Sequence, residues 1–298
     1  MLTRCSALDT ARAVLAWENM TVLIVGGSGF LGTELVRQGR LVGQDTAATF
    51  YTLSGEDADG TWHHLDLRNP ASLREVLDAV SPRVVINASS GGSKWEVTAE
   101  GGMRLARAAA ERGIRLVHIS SDAVFSGRRG DPYDETCLPD PVTPYGAAKA
   151  AAETAVRLLD ADTVVARTSL IIGDGQSEHE RMVHALATGM RDGSLFTDDV
   201  RCPVHVSDLA AALWELTLSD AAGVFHLAGP DAVTRHELGI LIAQRDGLDA
   251  SLLPTGRRAD SGLPGGLHIH LDSRATQANL ATRLRGARQF LQYRNTSA

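Results

Sequence analysis

From Thr21 onward, short β-branched runs alternate with longer alanine-rich amphipathic stretches, a pattern of successive βαβ units that commits the chain to a largely parallel sheet. Candidate strands run from Val22 to Val25, Ala48 to Leu53, Arg83 to Asn87, Ile114 to Ile119 and Thr163 to Ile171. Most are continuous apolar runs, as strands covered by helices on both faces require. Asn69 followed by Pro70 offers a cap and a proline at the first helical position, predicting a helix to about Val80. Pro144 opens another, and the stretch from Tyr145 to Asp160 is alanine-rich with no glycine after Gly146. After Gly173 the alternation loosens. Helices are expected from Glu178 to Met190 and Ser207 to Leu218, a strand from Gly223 to Leu227, a loop from Gly256 to Gly266, and a closing basic helix near Ala281 to Leu291.

With 298 residues, 44% hydrophobic and 22% charged, the chain buries a large core. A formal charge of -7 argues against a nucleic-acid groove, which needs clustered Lys and Arg. Cys5, Cys137 and Cys202 are odd in number and far apart, so they read as reduced thiols rather than a disulfide framework or zinc site. No metal site is expected, since His179 and His184 diverge on a helix and His268 with His270 lacks a third ligand. The uncharged segment from Met20 to Thr33 is too short and glycine-broken to span a bilayer. Residues 1–19 do not read as a secretory signal, so a cytoplasmic location is expected. Met20 directly precedes the first strand, so residues 1–19 are expected to be an N-terminal extension, with Met20 the candidate natural start.

Gly26, Gly29 and Gly32 follow a predicted strand and open a predicted helix, with Ser28, Phe30 and Leu31 between them. Glycines there permit a tight turn, close approach of backbone to a pyrophosphate, and close helix packing. The position that sorts NAD from NADP at the end of the second strand falls on Ser54, and no Lys or Arg occurs between Leu41 and Leu67. The site is therefore assigned to NAD(P)H with the preference open. Asp66 and Leu67, and the turn Asn87, Ala88, Ser89, are expected at C-terminal strand ends, on the adenine and ribose side of the pocket. Asp66 also suits a helix or turn cap.

Tyr145 and Lys149 lie four apart on one predicted helix and share a face. Hydride arriving at a carbonyl carbon leaves charge on oxygen, and a phenol near pKa 10 needs a cation beside it to act at neutral pH. Lys149 is expected to be that cation and to bind the cofactor ribose, with Tyr145 also counted among the cofactor contacts. Ser121 follows the strand from Ile114 and is placed to hold the substrate oxygen beside Tyr145, with Asp122 tuning the site. The three together predict a reductase or dehydrogenase.

These residues resemble the extended short-chain dehydrogenase/reductase superfamily, and within it the dTDP-4-dehydrorhamnose reductase-like family of sugar nucleotide-binding proteins. The likeness runs from Val22 to about Leu291. It rests on Gly26 to Gly32, Ser120 to Phe125, Tyr133 to Glu135, Pro141 to Lys149, Arg167 to Ser169 and Val204 to Ala210. Departures are Leu170, where rhamnose-forming reductases place an aromatic, and Phe30, where they place glutamine. The resemblance implies a Rossmann-like doubly wound sheet with a smaller C-terminal substrate lobe. Residues 20–175, with 203–230 returning, would bind cofactor, and 176–202 with 231–298 would bind substrate. It implies reduction of a 4-keto nucleotide sugar, with Tyr145 giving the proton, and a homodimer as the family expectation. Ser90, Arg201 and Arg257 are the candidate substrate contacts, Arg201 toward a diphosphate. Alternatives are a nucleotide-sugar epimerase or dehydratase, and a non-catalytic NAD(P)-binding regulatory subunit like the family's partner of methionine adenosyltransferase.

Overall fold

The computed structural model describes residues 20–52 and 62–292. Seven parallel strands form the central sheet in the order Gly223–Leu227, Val164–Thr168, Arg115–Ser121, Val84–Asn87, Thr21–Val25, Asp45–Phe50, Trp62–His64. The α/β class read from the sequence is the class observed. The order reverses beside Thr21–Val25, and Val25 pairs with Asn87 at the carboxyl edge, so the ligand crevice of an open parallel sheet lies there.

Alternate strand residues feed two apolar layers. Val22, Ile24, Val117 and Ile119 pack with Leu31 and Leu35 of helix Phe30–Leu41 and Leu209 and Leu213 of helix Val206–Thr217. Leu23, Val25, Val85 and Leu116 pack on the other face with Leu73 and Leu77 of helix Pro70–Val80 and Leu105 of helix Glu100–Ala110. A third cluster gathers Val183, Leu186, Leu195, Leu238 and Ile242 around helices Glu178–Ala187 and Arg235–Asp246, in the region where the sequence alternation loosens.

Several boundaries differ from the sequence expectation. The run from Thr163 to Ile171 splits: one strand ends at Thr168, Ser169 turns to bond Asp122, and Ile171–Ile172 pairs with Val204–His205 instead. Strand Arg115–Ser121 extends past Ile119, making Ser121 its last residue. The closing basic helix shrinks to Ala287–Phe290. Upstream of it, side chains take the backbone donors: Glu215 accepts from Ala281 and Thr282, Gln277 from Leu284, and Asp208 from Arg285. The extension 1–19, Leu53 and Ser54 lie outside the described residues.

Beneath the sheet edge, Arg167 and Glu153 form an ion pair at 2.9 Å with side chains only 1% and 2% exposed. Arg167 also donates to Cys137 O at 3.1 Å and lies over the Phe125 ring. Removing one partner strands the other charge in the interior. Arg167→Met is expected to cost about 3–5 kcal/mol of unfolding free energy in a denaturant titration. A loss near that of an exposed pair would show that the pair is solvated.

Candidate active site

Strand Thr21–Val25 delivers the glycine turn to the carboxyl edge, and helix Phe30–Leu41 leaves from Gly29. At Gly32 an added Cβ would stand 2.1 Å from Gly26 O, so only glycine lets the helix start so close to the turn. Gly26, Ser28 and Gly29 of that turn line a cavity of about 360 Å³, while Phe30 and Leu31, at the start of the helix, line a second, larger one. Ser28, Gly29, Tyr51, Asp66, Leu67, Ala88 and Ser89 are among the walls of the smaller. An apolar slot that runs along the glycine turn toward the start of a helix fits a dinucleotide. Asp66 is both cap and wall: its carboxylate accepts from Arg68 N at 2.9 Å and pairs with the Arg68 guanidinium, which lies over the Tyr51 ring. That guanidinium holds the Asp66 carboxyl below the usual range against the opposing effect of burial.

The second cavity, of about 870 Å³, shares Gly29, Ala88, Ser89 and Ser90 with the first. Its floor holds Ser121, Tyr145 and Lys149. Tyr145 arrives there because Thr143 caps helix Pro144–Leu159 and Gly146 presses the helix onto the turn Asp122–Val124. A Cβ on Gly146 would lie 2.0 Å from Ala123 O. The Ser121 and Ser90 hydroxyls stand beside the Tyr145 phenol and favour its ionised form. Ser121 Oγ accepts from Ala123 N and donates to Asp122 Oδ1, each at 3.2 Å. Asp122 in turn accepts from Ser169 Oγ at 2.6 Å.

Burial is the largest influence on the phenol and raises its pKa above 10; the Ser121 and Ser90 hydroxyls work against it, and the Asp122 charge works with it. The expected lowering of the phenol by Lys149 is therefore not what this arrangement gives. Lys149 Nζ instead donates to Ile119 O at 3.0 Å, and burial pushes its pKa down to about 8, with Glu153 opposing. A lowered amine is charged below its folded pKa and neutral above it. Nicotinamide affinity of the free protein should therefore fall as pH rises through about 8. Lys149→Arg, always charged, should flatten that dependence in calorimetric titrations. An affinity indifferent to pH in the unsubstituted protein would remove Lys149 from the binding site.

The far wall of the larger cavity is cationic. Arg201, Arg235 and Arg258 converge on the fully buried Asp199, with contacts of 2.6, 3.5 and 2.9 Å. Arg201 also reaches Asp122 at 3.6 Å and donates to Gly266 O at 2.8 Å. His179 Nδ1 lies 3.3 Å from Arg235 Nη1, and burial first, then the Arg235 charge, pushes the imidazole down to about 4. Three guanidiniums outnumber the carboxylate they share, so this wall suits a polyanionic ligand.

Residues 20–285 match the family model described as RmlD substrate binding domain. The chain belongs to that family. It is an extended short-chain dehydrogenase/reductase by sequence and fold. It is 30% identical to the dTDP-4-keto-6-deoxy-D-glucose reductase of Streptomyces niveus over 238 residues, 76% of this chain and 79% of that protein. It is also 30% identical to methionine adenosyltransferase 2 subunit beta of Bos taurus over 256 residues, 79% of this chain and 75% of that protein. Among solved structures, the NADP complex of Bacillus anthracis dTDP-4-dehydrorhamnose reductase aligns with a TM-score of 0.79 at 22% identity, over 92% of this chain and 97% of that one.

In this RmlD-like frame most residues singled out from sequence meet at the two cavities. Phe30 and Leu31 line the larger one and Ser28 the smaller; Ser90 and Gly29 line both. Arg201 reaches the cationic wall, but Arg257 does not: it is 63% exposed and sits 3.8 Å from Asp198 and 4.0 Å from Asp260. Arg258, the first residue of the helical turn Arg258–Asp260, points inward in its place and pairs with Asp199. Sequence reasoning does not bring Asp199, Arg235, His179 and Ser169 to this site. Asp199, Arg235 and His179 carry no local motif, and Ser169, although it ends the run from Arg167, meets Asp122 only through tertiary packing. Among the described residues no His, Cys, Asp and Glu group is arranged to hold a metal, and no helix is long and apolar enough to cross a membrane.

Proposed function

We propose that this protein is an NAD(P)H-dependent reductase of a 4-keto nucleotide sugar. The observation that carries the reading is the position of Tyr145. Its phenol, beside the Ser121 and Ser90 hydroxyls, faces a cavity that runs from the glycine turn to three converging arginines. Gly26 to Gly32, Asp66, Leu67, Ala88, Ser89 and Lys149 would hold the cofactor, and Ser54 belongs to the same expected set. Bound nicotinamide supplies the hydride for the ketone carbon.

The protein's own work is acid catalysis and orientation. Tyr145, kept protonated by burial and by the nearby Asp122 charge, gives its proton to the oxygen that becomes an alkoxide. Ser121 Oγ orients that oxygen. Asp122 anchors Ser169 and faces Arg201, so it joins the acid site to the cationic wall. Arg201, Arg235 and Arg258 take the diphosphate, and Ser90 lies between sugar and cofactor. In this reading segments 20–175 and 203–230 carry cofactor and segments 176–202 and 231–298 carry substrate.

Support also comes from the reductase relative of Streptomyces niveus. The test is oxidation of NADH and NADPH by purified protein against a panel of nucleotide-linked 4-keto sugars. One cofactor oxidised per ketone consumed is the expected result. Sugar conversion with the cofactor returned unchanged would assign an epimerase or dehydratase instead. A second reading, a regulatory subunit, is favoured by the similarity to the Bos taurus subunit. Tight nicotinamide binding with no turnover on any sugar would select it.

A further inference from the structure

Directly under Lys149 lies a buried histidine that neither cavity includes. His118 is 1% exposed on strand Arg115–Ser121. It shares the strand face of Leu116, which packs toward helices Glu100–Ala110 and Pro144–Leu159. From those helices it is faced by Gly102, where an added Cβ would stand 3.4 Å from the ring, and by the Lys149 charge. A buried imidazole is costly unless hydrogen-bonded, so its partner is informative.

That partner is Asn87, whose Nδ2 lies 3.1 Å from His118 Nδ1. The amide orientation is fixed by its other end. Asn87 Oδ1 accepts from Ser89 Oγ at 2.6 Å and from Ser89 N at 3.2 Å, so Nδ2 is the atom that donates to the ring. His118 Nδ1 is then the acceptor, and in the neutral ring the proton sits on Nε2. Burial first, then Lys149, pushes the pKa down to about 3, which agrees with a neutral ring.

The chain of contacts ends at both cavities. Ser89 belongs to the wall they share, and a Cβ on Gly26 would lie 2.8 Å from Ser89 Cα, so the loop is seated directly on the glycine turn. The next residue, Ser90, lines the larger cavity beside the Tyr145 phenol. We propose that His118 is a positioning residue: accepting from Asn87, it fixes the loop from Ala88 to Gly91 against the glycine turn and so sets nicotinamide affinity. The inference rests on the smaller cavity being the cofactor site.

A matched pair of substitutions isolates the acceptor. His118→Asn places an acceptor where Nδ1 stood, whereas His118→Gln reaches the Nε2 position instead. Both remove ring volume, so both should lower the melting temperature. Affinity should separate them. NADPH and NADH, titrated calorimetrically into each variant, are expected to bind His118→Asn nearly as they bind the unsubstituted protein. His118→Gln should bind about tenfold more weakly, the loss of one buried hydrogen bond and its ordering. Equal affinity in both variants would overturn the proposal, as would losses that simply track melting temperature. Nicotinamide binding by neither variant nor unsubstituted protein would overturn the cofactor reading along with it. A second measurement needs no variant. Nitrogen NMR of His118 should show protonated Nε2, bare Nδ1 and no titration near neutral pH, and the opposite tautomer would contradict the argument.

Discussion

Tyr145→Phe is expected to lower kcat by about 10²–10⁴-fold, the usual contribution of a positioned general acid, with a much smaller effect on nicotinamide affinity. The substitution removes one oxygen and keeps the ring. Ser121 Oγ still has Ala123 N and Asp122, so the floor of the cavity keeps its shape. The raised phenol pKa gives the sign of the pH dependence: Tyr145 is the protonated donor throughout the neutral range, so turnover in the reducing direction should not fall on its account until the pH exceeds the phenol's ordinary value. Steady-state kinetics of the variant, with cofactor binding measured separately, check this. Full turnover in Tyr145→Phe would take the proton transfer away from Tyr145.

The second large effect comes from a residue that touches no substrate. Gly146→Ala adds one methyl group, and that methyl meets Ala123 O at 2.0 Å in the present packing. Helix Pro144–Leu159 and the turn Asp122–Val124 must then separate by more than an ångström to restore ordinary contact. That separation moves Tyr145 away from Ser121, the pair that must meet one substrate oxygen. A displacement of about 1 Å at a reacting group costs roughly 10²-fold in rate, so kcat should fall by about that factor. Overpacking adds about 1–3 kcal/mol of destabilisation, visible in thermal unfolding. Kinetics below the melting transition distinguish the two effects. Normal kcat in Gly146→Ala would mean that the helix can shift without carrying Tyr145 with it.

Much of this was legible in the chain. The glycine run, the helix bearing Tyr145 and Lys149, and Ser121 at a strand end are local signals, because each depends on spacing within one element. The Asn69 cap and Pro70 placed helix Pro70–Val80 for the same reason. What failed was set by tertiary partners. The closing helix was lost where Glu215, Gln277 and Asp208 took its backbone donors. The strand through Ile171 broke where Ser169 turned toward Asp122.

The site shows the same division. Arg201 stood out in a dense polar segment, but its companions Arg235 and Arg258 and the shared Asp199 come together only in the fold. Arg257 and Arg258 are adjacent and chemically alike in sequence. Only the turn geometry decides that Arg258 faces Asp199 while Arg257 remains largely in solvent. Charge alone predicts that Lys149 lowers the Tyr145 phenol; burial, which sequence does not quantify, is the larger influence on both groups.

The most direct test follows one atom. NADPH and NADH carrying deuterium at the transferable position are incubated with the protein and a nucleotide-linked 4-keto sugar, and the product is read by NMR. The account predicts deuterium on the carbon that had been the ketone, in one stereochemical sense, with transfer suppressed in Tyr145→Phe. Deuterium retained on recovered cofactor while the sugar is converted, or no transfer despite binding of both ligands, would contradict it.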